Sequence, residues 1–145
     1  MKDFLLRRAR TTDLDAVCAL LTASKLPVEG VAEALGNFVV AEGNFSIVGA
    51  VGLELYGRYA LLRSAVVAPS WQGYGVGRAL VGEALSKARS TEIRTVFLLT
   101  TTAENYFPSF GFIRIERDDV PAELQESPEL KGACPSTATV MRLEL

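Results

Sequence analysis

Val66-Val67-Ala68-Pro69-Ser70-Trp71-Gln72-Gly73-Tyr74-Gly75-Val76-Gly77-Arg78-Ala79-Leu80 is the stretch on which the reading of this chain turns. An apolar run that reads as a buried strand enters a glycine-rich turn, and the turn opens a run with helical spacing. Glycines let a backbone take positive φ and approach a ligand closely. A helix start adds unpaired N–H groups and the positive end of the helix dipole, which suits a phosphate. An ordinary strand-to-helix connection could use the same glycines, so both readings stand on the glycines alone. The spacing Gly73-x-Gly75-x-Gly77 differs from the Gly-x-Gly-x-x-Gly of dinucleotide loops, and no Gly-Lys-Ser/Thr follows.

Working outward, the helix is expected from about Gly75 to Arg89, with Leu80, Val81, Ala84, Leu85 and Ala88 on one face. Before the turn, Ala60 to Val67 is apolar apart from Arg63 and Ser64 and reads as a central strand. Upstream, Phe38–Ala41 and Ile47–Leu53 read as strands joined at Glu42-Gly43-Asn44. Phe4–Arg8 is a first short strand. Thr11-Thr12-Asp13 caps a helix carrying Leu14, Val17, Cys18, Leu20 and Leu21, and a second helix is expected from Val28 to Leu35. Downstream come a strand at Thr95–Leu99, a short helix at Ala103–Phe110, and a strand at Phe112–Glu116. Residues 118–135 are Pro-punctuated and irregular, with one helical turn, and Ala138–Leu143 is the last strand. The strand–helix–strand piece in the middle must be a right-handed crossover between parallel strands. The expected architecture is α/β: a mixed, mostly antiparallel sheet of six to seven strands with helices on both faces.

The 145 residues suit one domain, and 49% hydrophobic with 22% charged residues describes a chain with a real core. A net charge of −2 offers no positive face for nucleic acid or for an anionic membrane surface. No apolar stretch is long enough to span a membrane, and the stretch from Met1 to Arg8 is too short for a signal peptide, so the cytoplasm is the expected compartment. With no histidine and two cysteines, a zinc site or a Ser-His-Asp triad is excluded and no metal is expected.

Gln72-x-x-Gly75-x-Gly77, preceded by Val67-x-Pro69 at a strand end, is similar to the acetyl-CoA signature of the GNAT N-acetyltransferase superfamily. Ala103-x-x-x-Phe107-x-x-x-Gly111-Phe112 resembles its second signature, beside the CoA arm, and Arg8-Ala9 with Asp13-Leu14 matches its opening strand and helix. The resemblance covers the whole chain in order. It implies a GNAT fold with acetyl-CoA as cosubstrate, bound by Val66, Val67, Gln72, Gly73, Tyr74, Gly75, Val76, Gly77, Arg78 and Phe107. The pyrophosphate would rest on the N–H groups of Gly73 to Arg78. Arg78 would add a charge-assisted contact or simply be a solvated helix residue. The backbone N–H at Val67 would hold the thioester oxyanion. The family often has a tyrosine, four residues before the Gly-Phe pair, that protonates the leaving thiolate. Phe107 stands at that position and cannot, which leaves the adjacent Tyr106 as an acid candidate or a packing residue.

No base is assigned, since Glu42 and Glu54 near strand ends are equally well read as surface carboxylates. Arg63, costly to bury alone, should meet an anion. If extended backbone places Arg63, Ala65 and Val67 on one face, Arg63, with Ser64, would bind an acidic group of the substrate. The alternative is an internal ion pair with a glutamate.

Cys134-Pro135-x-x-Ala138-x-x-Met141, Leu62-Arg63-Ser64 and Leu98–Glu104 resemble small N-acetyltransferases associated with bacterial arsenic resistance. Less closely, they resemble the acetyltransferase domain of N-acetylglutamate synthases. This resemblance implies a small-molecule amine with an acidic group: an amino acid, or an arsenical or phosphinic glutamate-like toxin. A protein amine as acceptor and a non-catalytic acyl-CoA sensor stay open, as do monomer and homodimer. Buried packing is the commoner fate of a free cysteine such as Cys134.

Overall fold

The computed structural model describes residues 2–145; Met1, part of the N-terminal stretch read above, lies outside the described residues. The elements are β1 (Leu5–Arg8), α1 (Leu14–Ala23), α2 (Val31–Ala34), β2 (Phe38–Gly43), β3 (Ser46–Tyr56), β4 (Tyr59–Val67), α3 (Val76–Arg89), β5 (Thr95–Thr100), β6 (Ile113–Ile115) and β7 (Thr139–Glu144). The strands form one seven-stranded sheet in the order β1-β2-β3-β4-β5-β7-β6. Only β4 and β5 run parallel, joined by the α3 crossover; all other pairs are antiparallel.

The centre of the sheet is apolar on both faces, and β2 shows why its sequence lacks a polar side. Val39 and Ala41 pack in the layer under α3, whereas Phe38 and Val40 pack in the layer under α1 and α2. Each layer buries aliphatic side chains at about 25 cal/mol per Å² of apolar surface, so helices cover both faces. Close approach is local: a Cβ on Gly52 would fall 2.1 Å from the Phe38 ring.

Two expected helices are shorter in the structure. The one expected from Val28 begins at Val31, because Gly30 takes a left-handed φ of 83° and caps it. The one expected over Ala103–Phe110 is reduced to a 3-10 turn at Phe107–Phe110. Pro108 has no N–H to donate and cannot extend an α-helix through this point. The irregular segment before β7 holds three short turns rather than one, at Arg117–Asp119, Ala122–Glu126 and Glu129–Ala133.

A bulge in β4 shapes everything that follows. Opposite β3, Ala50 pairs with Val66 and Gly52 with Arg63, so Val51 alone faces both Ser64 and Ala65. Ser64 carries the strain as a left-handed residue with φ 60°. One extra residue reverses the alternation of side chains. Leu62 below the bulge and Ala65 and Val67 above it therefore belong to the α3 layer, while Val66 faces the α1 layer.

Candidate active site

The pairing of β4 with β5 covers only Tyr59–Leu61 against Thr95–Phe97. Beyond it the strands part, since β5 follows β7 over its whole length. The wedge left between them is a cleft of about 1010 Å³. One end is lined by the glycine turn, the start of α3 and Thr100–Ala103, and the other by Ser24–Pro27, Arg63, Glu129 and Cys134.

Val67 stands at the point of divergence. Ala68 donates its N–H to Val48 of β3 at 2.8 Å. Backbone groups alternate sides along a strand, so the N–H and C=O of Val67 turn away from β3 and into the wedge. The carbonyl is taken: Gln72 Nε2 donates to it at 3.1 Å. The N–H of Val67 thus faces the cleft, where a carbonyl oxygen could accept from it. Val66 also lines the cleft.

The turn itself is held open by glycine. Gly73 and Gly75 have φ of 86° and 85°, and a Cβ on either would meet nothing within 4 Å. Gly75 is the N-cap of α3 and offers no side chain to the first turn. The first intrahelical bond runs from Ala79 to Gly75 at 3.0 Å. The N–H groups of Val76, Gly77 and Arg78 precede it and, at a 14-residue helix start, are suited to an anion. Tyr74 belongs to the turn through its backbone only; its ring is exposed and lies beneath Lys2 Nζ at 5.1 Å.

The facing wall is aromatic. Phe107 is buried edge-on to Tyr106 and Phe112, with centroids at 5.3 and 5.7 Å. Arg78 lies over the Phe110 ring at 5.0 Å and reaches Ser109 Oγ at 3.4 Å, so it ties the helix start to this wall. Tyr106 is turned toward the cleft, its hydroxyl 3.7 Å from where a Cβ of Gly77 would stand. Burial raises its pKa above the ordinary tyrosine value, so it is a protonated donor at neutral pH.

Arg63 departs from the expected geometry. The bulge at Ser64 removes it from the face of Val67, so the shared-face argument for a substrate anion does not hold. Its buried guanidinium meets internal partners instead: Nη1 donates to Glu54 Oε2 and to the Glu29 carbonyl, each at 2.6 Å, and Nη2 to the Pro27 carbonyl at 3.3 Å. Nε donates to Ser64 Oγ at 2.9 Å. This is the internal ion pair that was the alternative. Glu54 also accepts from Tyr56 at 2.6 Å, and Glu42 pairs with Arg7 at 2.9 Å. Neither base candidate lines the cleft.

Glu129 does, and the sequence reading passed over it. Its carboxylate lies 3.6 Å from Arg63 Nε with a side-chain exposure of 4%. Burial pushes its pKa up to about 7, against the lowering effect of Arg63. Cys134, beside it, is pushed up to about 12, chiefly by burial and then by Glu129. The thiol therefore stays protonated and is a poor nucleophile. The signal for Glu129 was a glutamate in a Pro-punctuated segment just before Cys134-Pro135, too weak by itself. Among the described residues no cluster of three His, Cys, Asp or Glu could hold a metal, and no helix is long and apolar enough to cross a membrane.

Residues 34–114 match the family model of the acetyltransferase (GNAT) domain. This chain belongs to the GNAT acetyltransferase family. It is 35% identical to the amino-acid acetyltransferase of Mycobacterium tuberculosis over 130 residues, covering 83% of this chain and 74% of that one. The amino-acid acetyltransferase of Ralstonia nicotianae is 33% identical over 61% of this chain, which spans only 20% of that longer protein. Among solved structures, Rv2747 from Mycobacterium tuberculosis, in complex with CoA and NLQ, superposes with a TM-score of 0.81 and 27% identity. The match covers 97% of this chain and 99% of that one. The N-acetylglutamate synthase of Neisseria gonorrhoeae shares the fold at a TM-score of 0.84 and 20% identity, with 99% of this chain matched to 35% of that one. The expected fold is borne out, and the chain is an acyltransferase of this family.

Proposed function

We propose that this protein transfers the acetyl group of acetyl-CoA to the amino group of an amino acid. The observation that carries this reading is the N–H of Val67, turned into the wedge beside the open N-terminus of α3. An extended acyl-pantetheine arm entering the wedge would place its pyrophosphate on the N–H groups from Gly73 to Arg78. Its thioester oxygen would lie at Val67, whose N–H strengthens its bond as the oxygen becomes an oxyanion; such a donor supplies roughly 10²–10³ in kcat. Phe107 and Tyr106 would flank the arm, and the Tyr106 hydroxyl, turned toward the cleft, would return a proton to the departing sulfur. The amine approaches from the opposite end, past Ser24–Pro27 and Arg63.

The relatives support an amino acid as acceptor, since two amino-acid acetyltransferases are more than 30% identical to this chain. The finer reading is an acidic amino acid or a glutamate-like toxin, arsenical or phosphinic, and it rests on the stretches around Arg63, Leu98 and Cys134. Arg63 offers that acid no free charge, because its guanidinium is already paired inside the protein.

The test is release of free thiol from acetyl-CoA with a panel of amino acids and glutamate analogues. Turnover with an acidic member supports both levels of the reading. Turnover with neutral amino acids alone removes the finer one. Acetyl-CoA binding without turnover points to a protein amine or a sensor, and absence of binding ends the proposal.

A further inference from the structure

We infer that Glu129 is the general base that takes the proton of the acceptor ammonium, an assignment that rests on the proposed acetyl transfer. The chain contains no histidine, so a carboxylate or water must do this work. Two carboxylates line the cleft, Glu29 and Glu129. Glu29 is exposed to solvent. Glu129 is buried at the acceptor end and held in place by its backbone: its N–H donates to Ser127 Oγ at 3.2 Å and its carbonyl accepts from Cys134 at 3.3 Å.

Its charge is also poorly matched. One guanidinium serves two buried carboxylates, and Glu54 holds the closer place at 2.6 Å. The Nε hydrogen nearest Glu129 goes to Ser64 Oγ. That leaves the Glu129 carboxylate without a hydrogen bond from Arg63, and its negative charge faces the cleft that would receive a cationic amine. The groups around it are Arg63 from β4, Glu54 from β3, Glu29 from the segment before α2, and Cys134 from its own turn; Arg117 faces Cys134. A carboxyl whose pKa is pushed up to about 7 is matched to accepting a proton at neutral pH and releasing it again.

The step balances as follows. The ammonium loses one proton to Glu129, directly or through one water, and the freed lone pair forms the C–N bond as the carbonyl π pair moves to oxygen at Val67. Collapse of the oxyanion breaks the C–S bond. The departing thiolate takes a proton from the Tyr106 hydroxyl, the proton still on nitrogen restores that hydroxyl through water, and Glu129 returns its proton to solvent.

The test compares wild type, Glu129→Gln and Glu129→Asp with the best amino-acid acceptor, reading kcat and KM against pH and acetyl-CoA affinity by calorimetry. We expect Glu129→Gln to lose about a hundredfold or more in kcat at pH 7. Acetyl-CoA affinity should be unchanged, and the acidic limb near pH 7 should vanish, leaving only a later limb from the amine's own deprotonation. Glu129→Asp should keep an acidic limb with reduced kcat. A Glu129→Gln enzyme with wild-type kcat and the same limb overturns the assignment. So does a loss confined to stability or to KM. Wild type inert toward every amine removes the proposed reaction and this step with it, a result separable from wild-type turnover that Glu129→Gln leaves intact.

Discussion

Gln72 Nε2 donates a hydrogen bond to the carbonyl oxygen of Val67 at 3.1 Å, across the turn that joins β4 to α3. The bond satisfies the Val67 acceptor that faces the wedge; the N–H of the same peptide, on Ala68, is given to Val48 at 2.8 Å, so this strand end is held on both sides next to the Val67 N–H. Gln72→Ala should keep the fold, since Ala68 still bonds Val48, yet loosen the strand end that carries the Val67 N–H. We expect kcat/KM to fall roughly three- to tenfold, in line with one neutral hydrogen bond of about 1 kcal/mol, with little change in Tm. Steady-state kinetics beside a thermal melt would check it.

Gly75 sits in the left-handed region at φ 85° with open space where a Cβ would be. Gly75→Ala is therefore a test of backbone conformation without a clash. The expected cost is about 1–2 kcal/mol in stability. If the turn relaxes instead, the anion-facing N–H groups tilt, and acetyl-CoA affinity falls while the amine KM is spared. Calorimetric titration with acetyl-CoA separates the two effects.

The Arg63–Glu54 pair is buried on both sides, with side-chain exposures of 0% and 7%. Removing one partner strands the other charge. Glu54→Gln should destabilise the protein by about 3–5 kcal/mol in denaturant unfolding. A loss under 1 kcal/mol would show that Glu129 takes over the pairing.

Gly52 lies under the Phe38 ring, where a Cβ would approach to 2.1 Å. Gly52→Ala forces the ring out of the α1 layer, and the expected cost is about 1–3 kcal/mol. Gly52→Ala combined with Phe38→Leu should recover part of it.

Asp13 accepts from both Arg7 guanidinium nitrogens at 2.8 and 3.0 Å and from the Arg10 N–H at 2.7 Å. The Arg7 hydrogen bonds, first among the causes, hold its pKa below the ordinary 3.8. A lowered folded-state pKa contributes stability above the unfolded value, and that stability is lost as pH falls through the folded one. Asp13→Asn should thus be less stable than wild type at pH 7, by about 1–3 kcal/mol. The gap should close as pH drops below about 4. Parallel urea titrations at pH 7 and pH 3 would show it.

Element order and the turn from Gln72 to Gly77 were legible because their causes are local. Glycines permit positive φ, the α3 side chains repeat at helical spacing, and the apolar strands mark a doubly covered sheet. The shortened turns at Val31 and Phe107 followed from Gly30 and Pro108, whose effects on helix length are local too but easily underweighted beside a favourable apolar pattern. Arg63 was rightly read as a residue that must meet an anion.

Its anion could not be named from the chain alone. Glu54 and Glu129 lie 9 and 66 positions away, and pairing with them depends on strand register and on where the segment before β7 folds back. The bulge at Ser64 is likewise invisible in a run of apolar residues, yet it reverses which face each side chain takes. The sequence by itself determined the elements, the family and the place where the acyl donor is expected to bind. Only the tertiary structure decided the splay of β4 from β5, the partners of Arg63 and the burial of Glu129, because long-range packing sets the surroundings of a buried charge.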